Sequence, residues 1–323
     1  MKAPAAATLL VLAFASCGGD SVSVRTDPVH PVVRIALDFT PNPVHAPIYQ
    51  ARRTGTDVRN GVRFDVIEPG DGPNALKLVA SGRALVGLLD IHDLAIAREQ
   101  GVDVVGVGAL VQKPLAALLA DPSVERPREL AGRTVGVSGL PSDPAFVRAI
   151  VEHDGGDYER IEQVTIGFKA VSALLARRVD AVPAFWNAEG VALRERGRDI
   201  REFRVEDYGA PPYPEVVVIT SRKSLRARRR DVAAAVRALA DGVAAVQDDP
   251  DDAVRTMASV AAADESLTRA QLDAVAPLFR PAMRLDRAVL EQWASFDEEI
   301  GIVERRPDVG AAFDFSLTAA APG

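Results

Sequence analysis

One cysteine in 323 residues leaves no internal disulfide and no thiolate-clustered metal centre. A basic surplus is also missing. Lysine and arginine total 38 against 45 acidic residues, a net charge of -7 that argues against nucleic acid, which needs a basic stripe. The arginines within 226–230 are the local exception and read as a solvated helix face. No apolar run reaches the about 20 residues that a membrane-spanning helix needs. The sequence has no Gly-x-Ser-x-Gly elbow, HExxH, P-loop or strand-following GxGxxG. Asp90, His92 and Asp93 are clustered without a second ligand group, so no metal is expected. Aromatic residues make up 5% of the chain, with only two tryptophans, so Trp186 stands out at a strand end.

What is present is an ordinary globular balance, 48% hydrophobic and 26% charged, and enough chain for about two domains. The cysteine has an informative context. Lys2 precedes an apolar run over 5–14, then Phe14-Ala15-Ser16-Cys17. A positive start, an apolar core and small residues mark an export signal, and a cysteine directly after them resembles a bacterial lipoprotein signal. A signal over 1–17 with lipidation at Cys17 is therefore expected, with attachment to the outer face of the cytoplasmic membrane. A polar tether follows over 18–32.

The stretch 33–51, VRIALDFTPNPVHAPIYQA, reads as a strand, a rigid two-proline loop and a helix start. Strands and helices then alternate. Strands are expected over 62–67, 84–89 and 102–107, with helices over 75–81, capped by Asn74, and over 94–100. After a proline-containing linker at 121–127 a second unit repeats the alternation. It has strands over 133–137, 164–167, 180–184 and 200–205, and a helix opened by Pro144. The alternation predicts an α/β chain with parallel, doubly wound sheets. From Arg230 onward the chain reads as almost all helical. Val232, Val236, Leu239, Val243 and Val246 form one apolar stripe, and these late helices suggest core rather than chemistry.

In open α/β sheets, ligands gather outside the carboxyl ends of strands. The loops expected there carry Asp38, Asn42, His45 and Tyr49, then Asp90 and His92, then 139–143 with Ser142 and Asp143. Trp186, Asn187 and Glu189 follow, and then Tyr213 and Glu215. Aromatic area with carboxylates and amides suits a flat, nitrogen-rich heterocycle.

These residues carry a resemblance. Asp38, Thr40-Pro41-Asn42, His45 and Tyr49 are similar to the D-W-T-P-N-x-x-H-x-x-x-Y signature of the pyrimidine-binding proteins of thiamine-precursor import. The match continues through Leu78-Val79-Ala80-Ser81-Gly82, Asp154-Gly155-Gly156-Asp157, Trp186 with Glu189, and Val218-Ile219-Thr220-Ser221, covering about 33–296. Phe39 stands where the signature has tryptophan, and Val44 where the loop usually has asparagine. The resemblance implies a two-lobed, type II periplasmic-binding-protein fold, with lobe one over 33–115 and 217–318 and lobe two over 116–216. It implies a monomer that closes on a small heterocycle and delivers it to an ABC permease and its ATPase. Asp38, Phe39, Asn42, His45, Tyr49, Asp90 and His92 would act from lobe one. Ser142, Asp143, Trp186, Asn187 and Glu189 would act from lobe two, with Tyr213 and Glu215 at the second crossing. No cofactor is expected. The wider family binds riboflavin, sulfonates or taurine, and includes pyrimidine synthases. In those synthases a lysine four residues before the second histidine holds pyridoxal phosphate; here that position is Leu88.

Overall fold

A computed structural model describes residues 30–70 and 74–318. The expected signal, Cys17 and tether residues 18–29 lie outside the described residues. Val32, the last residue of the expected tether, already begins the first strand.

The first sheet contains β1 (Val32–Ala36), β2 (Arg63–Ile67), β3 (Val86–Asp90), β4 (Val104–Val111) and β10 (Val216–Ser221), in the order β2-β1-β3-β10-β4. The second contains β5 (Ala116–Ala120), β6 (Thr134–Val137), β7 (Glu162–Thr165), β8 (Ala181–Phe185) and β9 (Arg201–Arg204), in the order β7-β6-β8-β5-β9. The parallel expectation needs correcting, because each sheet is mixed. β10 runs antiparallel to β3 and β4, and β5 runs antiparallel to β8 and β9.

The reason is the route of the chain. β4 ends beside the other sheet, and the chain crosses directly into β5. The start of β5, Ala116, therefore pairs with the end of β8, Phe185. A strand that enters at the carboxyl edge must run against its neighbours. The return through 205–215 into β10 repeats this, and Val216 at the start of β10 pairs with Asp90 at the end of β3. Both carboxyl edges thus face one cleft.

β10 is buried along its length, as its run Val216-Val217-Val218-Ile219 dictates for a strand covered on both faces. Val33 and Ile35 of β1 pack in one cluster with Val232, Val236, Leu239, Val243 and Val246 of the helix Arg229–Asp248. That helix lies hard against the helix Ala46–Thr54. A Cβ at Gly242 would stand 2.1 Å from the carbonyl oxygen of Pro47, so only glycine permits the approach. This contact seats the start of the helix that follows the two-proline loop.

Two local expectations change. Asn74 precedes the helix Ala75–Ala80 but its side chain makes no capping bond. The helix expected over 94–100 begins at Ile91, and Asp90 caps it by accepting from the His92 amide at 2.7 Å. Asp90 is thus the last residue of a strand, and His92 lies in a helical first turn. At 226–230 the chain joins two helices, with Arg228 paired to Asp231 and Arg229 to Asp314.

Candidate functional site

The loop after β1 is built by a reciprocal cap. Asn42 Oδ1 accepts from the Val44 amide at 2.9 Å, and His45 Nδ1 accepts from the Asn42 amide at 3.1 Å. Accepting at Nδ1 leaves Nε2–H to donate, and it meets Asp38 Oδ1 at 3.0 Å. His45 is fully buried. It stands outside the cavity lining and acts by holding Asp38 and the loop in shape.

The cleft between the sheets holds a cavity of about 760 Å³, counting its mouth. Phe39, Asn42, Asp90 and His92 line it from the first lobe. Ser138, Ser142, Asp143, Phe146, Phe168, Phe185 and Glu189 line it from the second. Phe39 and Phe168 meet across the cleft, with ring centroids 4.1 Å apart. Two further bonds join the lobes. The Ser142 amide donates to Asp93 Oδ1 at 3.1 Å, and Gln271 Nε2 donates to the Ala188 carbonyl at 2.8 Å. The lobes are closed on each other.

Asp143 opens the helix Asp143–His153 and organises the loop before it. Its Oδ2 accepts from the Ser138 hydroxyl at 2.9 Å and from the Gly139 amide at 3.0 Å. Gly139 has φ +94°, a conformation that favours glycine. Burial raises the Asp143 carboxyl, and burial pushes Glu189 up to about 7. Glu189 sits in a single π-turn, Trp186–Gly190, rather than in an open loop.

Other candidates from the sequence fall elsewhere. Tyr49 donates its hydroxyl to Glu68 Oε1 at 3.2 Å, away from the cavity. Trp186 is pinned to the first crossing, its Nε1 donating to the Pro114 carbonyl at 3.3 Å, with the Arg204 guanidinium 4.0 Å over its ring. Asn187 is fully buried, and both its amide atoms lack a protein partner among the described residues. Glu215 accepts from the Leu115 and Ala116 amides, so one carboxylate of the second crossing clamps the first. Tyr213 is buried against His92, edge-on with centroids 4.7 Å apart, and stacks on Phe296.

His92 lines the cavity on one side and is anchored on the other. Its Nδ1 lies 2.6 Å from Asp297 Oδ1, both residues being buried. Burial by itself would lower the imidazole, but the carboxylates of Asp297, Asp90 and Glu215 raise it to about 10. Its Nε2 has no protein partner among the described residues. Asp297 corrects the reading of the late helices as core alone. It lies seven residues after Leu290 and four after Trp293, on the apolar stripe of the helix Arg287–Glu299. A carboxylate on a core-facing stripe was the available signal. Nothing in the local sequence of Phe168 sets it across from Phe39.

Comparison with known proteins fits this geometry. Residues 42–253 match the family described as NMT1/THI5 like. The chain is 32% identical over 252 residues to a formylaminopyrimidine-binding protein of Halalkalibacterium halodurans, covering 77% of this chain and 76% of that one. It is 22% identical over 232 residues to a 4-amino-5-hydroxymethyl-2-methylpyrimidine phosphate synthase of Uromyces fabae, covering 68% and 67%. Among solved structures, the alkanesulfonate-binding protein SsuA from Xanthomonas axonopodis pv. citri superposes with a TM-score of 0.72 at 16% identity, over 88% of this chain and 98% of that one. The periplasmic aliphatic sulphonate binding protein SsuA from Escherichia coli gives 0.68 at 16%, over 87% and 91%. These last two likenesses show a shared fold of two lobes. The chain belongs to the NMT1/THI5-like family.

Proposed function

We propose that this chain is the extracytoplasmic substrate-binding protein of an ABC importer and that it captures a flat, nitrogen-rich heterocycle of the thiamine-pyrimidine-precursor class. One observation carries the reading. A closed inter-lobe cavity is walled by phenylalanine rings and carries convergent carboxyl groups, Glu189 and Asp143, raised by burial. Rings supply stacking area. A carboxyl group near its titration midpoint at neutral pH donates to or accepts from ring nitrogens and amino groups as required.

Mechanism in this reading is capture and closure. A ligand shifts the open and closed populations only through contacts that differ between them. Phe39 and Asn42 supply one wall, and Phe168 and Glu189 the other. Lobe one would comprise 33–115 and 217–318, and lobe two 116–216, with both crossings acting as hinges. Lipidation at Cys17, a monomeric state and docking to a permease with its ATPase complete the proposal.

Two other readings are weaker. A synthase of the same family needs an amine for its Schiff base four residues before His92, and Leu88 there is a fully buried aliphatic side chain. A sulfonate or taurine binder needs a cluster of cations, whereas among the described residues lining this cavity His92 is the one basic side chain.

A thermal-shift panel tests the ligand class with hydroxymethylpyrimidine, formylaminopyrimidine, thiamine, riboflavin and taurine. Stabilisation by a pyrimidine, about 2.7 kcal/mol at 100 times the dissociation constant, is the expected result. No shift with any aromatic heterocycle overturns it. Turnover of a pyridoxal or pyrimidine substrate would restore the enzyme reading.

A further inference from the structure

The heterocycle cavity has an annex. A second hollow of about 890 Å³, counting its mouth, adjoins it and shares Phe39, Asp90, Leu140 and Phe185 with it. Asp38, Asn74 and Asp93 line the annex from one lobe, and the segment at 139–141 from the other. The annex therefore forms only when the lobes close.

Its polar groups are mostly acceptors. Asp93 is 3% exposed, and its Oδ1 is taken by the Ser142 amide, but among the described residues its Oδ2 has no partner. Asn74 Oδ1 is likewise buried and without a partner among the described residues, having made no capping bond to its helix. Asp38 and Asp90 add two more carboxylates, and the exposed Lys77 is the cation at the rim. Leaving a buried acceptor unmatched is costly. An organic group that carries hydrogens would complement these acceptors.

We propose that the annex is a second subsite of the cleft and that it takes a cationic, hydrogen-donating arm of the ligand, held by Asp93 with Asn74 beside it. The inference rests on the heterocycle reading and extends it: the captured molecule is a ring bearing an ammonium-type or other cationic substituent. Burial and the neighbouring Asp90 raise the Asp93 carboxyl, and a cationic arm beside it would draw it back down.

Isothermal titration with three ligands separates the two claims. Hydroxymethylpyrimidine and aminomethylpyrimidine share the ring and differ by a neutral or cationic short arm. Thiamine carries a larger cationic one. Tighter binding of the aminomethyl compound than of the hydroxymethyl compound, by about tenfold, is expected for one charge-assisted contact. Asp93→Asn keeps an acceptor for the Ser142 amide. It should bring the two short-armed ligands to similar affinity, with the greater loss falling on the aminomethyl compound. Lys77→Gln, at an exposed position, provides an independent arm and should strengthen binding of the aminomethyl compound and thiamine. Equal affinity for the short-armed pair in the unaltered protein, or equal losses for both in Asp93→Asn, overturns the annex alone. No binding by any of the three overturns the heterocycle reading and the annex with it.

Discussion

Phe39 and Phe168 touch across the cleft with their ring planes 47° apart, one from the loop after β1 and the other from the loop after β7. Nothing in the local chain joins them, since they belong to different sheets. The contact exists only in the closed arrangement, and both rings also wall the cavity. Closure and ligand stacking therefore draw on the same two side chains.

Phe168→Ala removes one half of this pair. Aromatic pairs contribute about 0.5–1.5 kcal/mol beyond area burial, so ligand affinity should fall about two- to tenfold. The melting temperature without ligand should change little, because each lobe keeps its own core. Calorimetric titration with a pyrimidine checks the first statement and a thermal melt the second. Unaltered affinity would remove Phe168 from the site.

His45→Ala strips an acceptor from the Asn42 amide and a donor from Asp38. Both groups are part-buried, so the cost falls at the lower end of the about 1–3 kcal/mol for an unmatched buried group, and the loss should appear in urea unfolding even without ligand. His45→Gln restores the capping half of the arrangement and should recover part of that loss. If the alanine variant unfolds with the original midpoint, the loop does not depend on this histidine.

Burial pushes Glu189 up to about 7 from a reference of 4.5. A raised carboxyl means that the folded state holds its proton more tightly. The group's contribution is fully present below about 4.5 and is lost as pH rises through about 7. Glu189→Gln cannot titrate. The difference in melting temperature, variant minus wild type without ligand, should therefore grow between pH 4.5 and 8. A difference that stays flat across that range contradicts the placement of this carboxyl.

The His92–Asp297 pair has the opposite charge type and another window. The imidazole is raised to about 10 from 6.5, so its contribution is complete below about 6.5 and disappears as pH climbs through about 10. Asp297→Asn leaves a buried cation with weaker compensation and should cost about 3–5 kcal/mol at pH 6. The gap between variant and wild type in urea unfolding should narrow by pH 10. A gap independent of pH would mean that the histidine is neutral throughout.

The loop after β1 was legible because its residues act on one another locally. Asn42, Val44 and His45 lie within one turn, and Pro41 and Pro43 restrict the backbone. Glu189 and Asp143 were legible as polar residues at strand ends, where an α/β sheet collects ligands. Trp186 shows the limit of that inference. Its position after β8 is right for a ligand contact, yet its ring is occupied by Arg204 and its indole nitrogen by Pro114. Both partners are distant in sequence, 18 and 72 residues away.

The sequence by itself determined the alternation of strands and helices and the loops that border the cleft, because periodicity, glycines and prolines act over a few residues; the two lobes were implied by the family resemblance. Only the tertiary structure decided which way β5 and β10 run and which side chains meet. It showed that Tyr213 and Glu215 brace the crossing between the sheets, that Asp297 anchors His92, and that Phe168 faces Phe39. The physical reason is separation along the chain. His92 and Asp297 are 205 residues apart, and a buried charge finds its partner through the packing of whole elements, which no local pattern encodes.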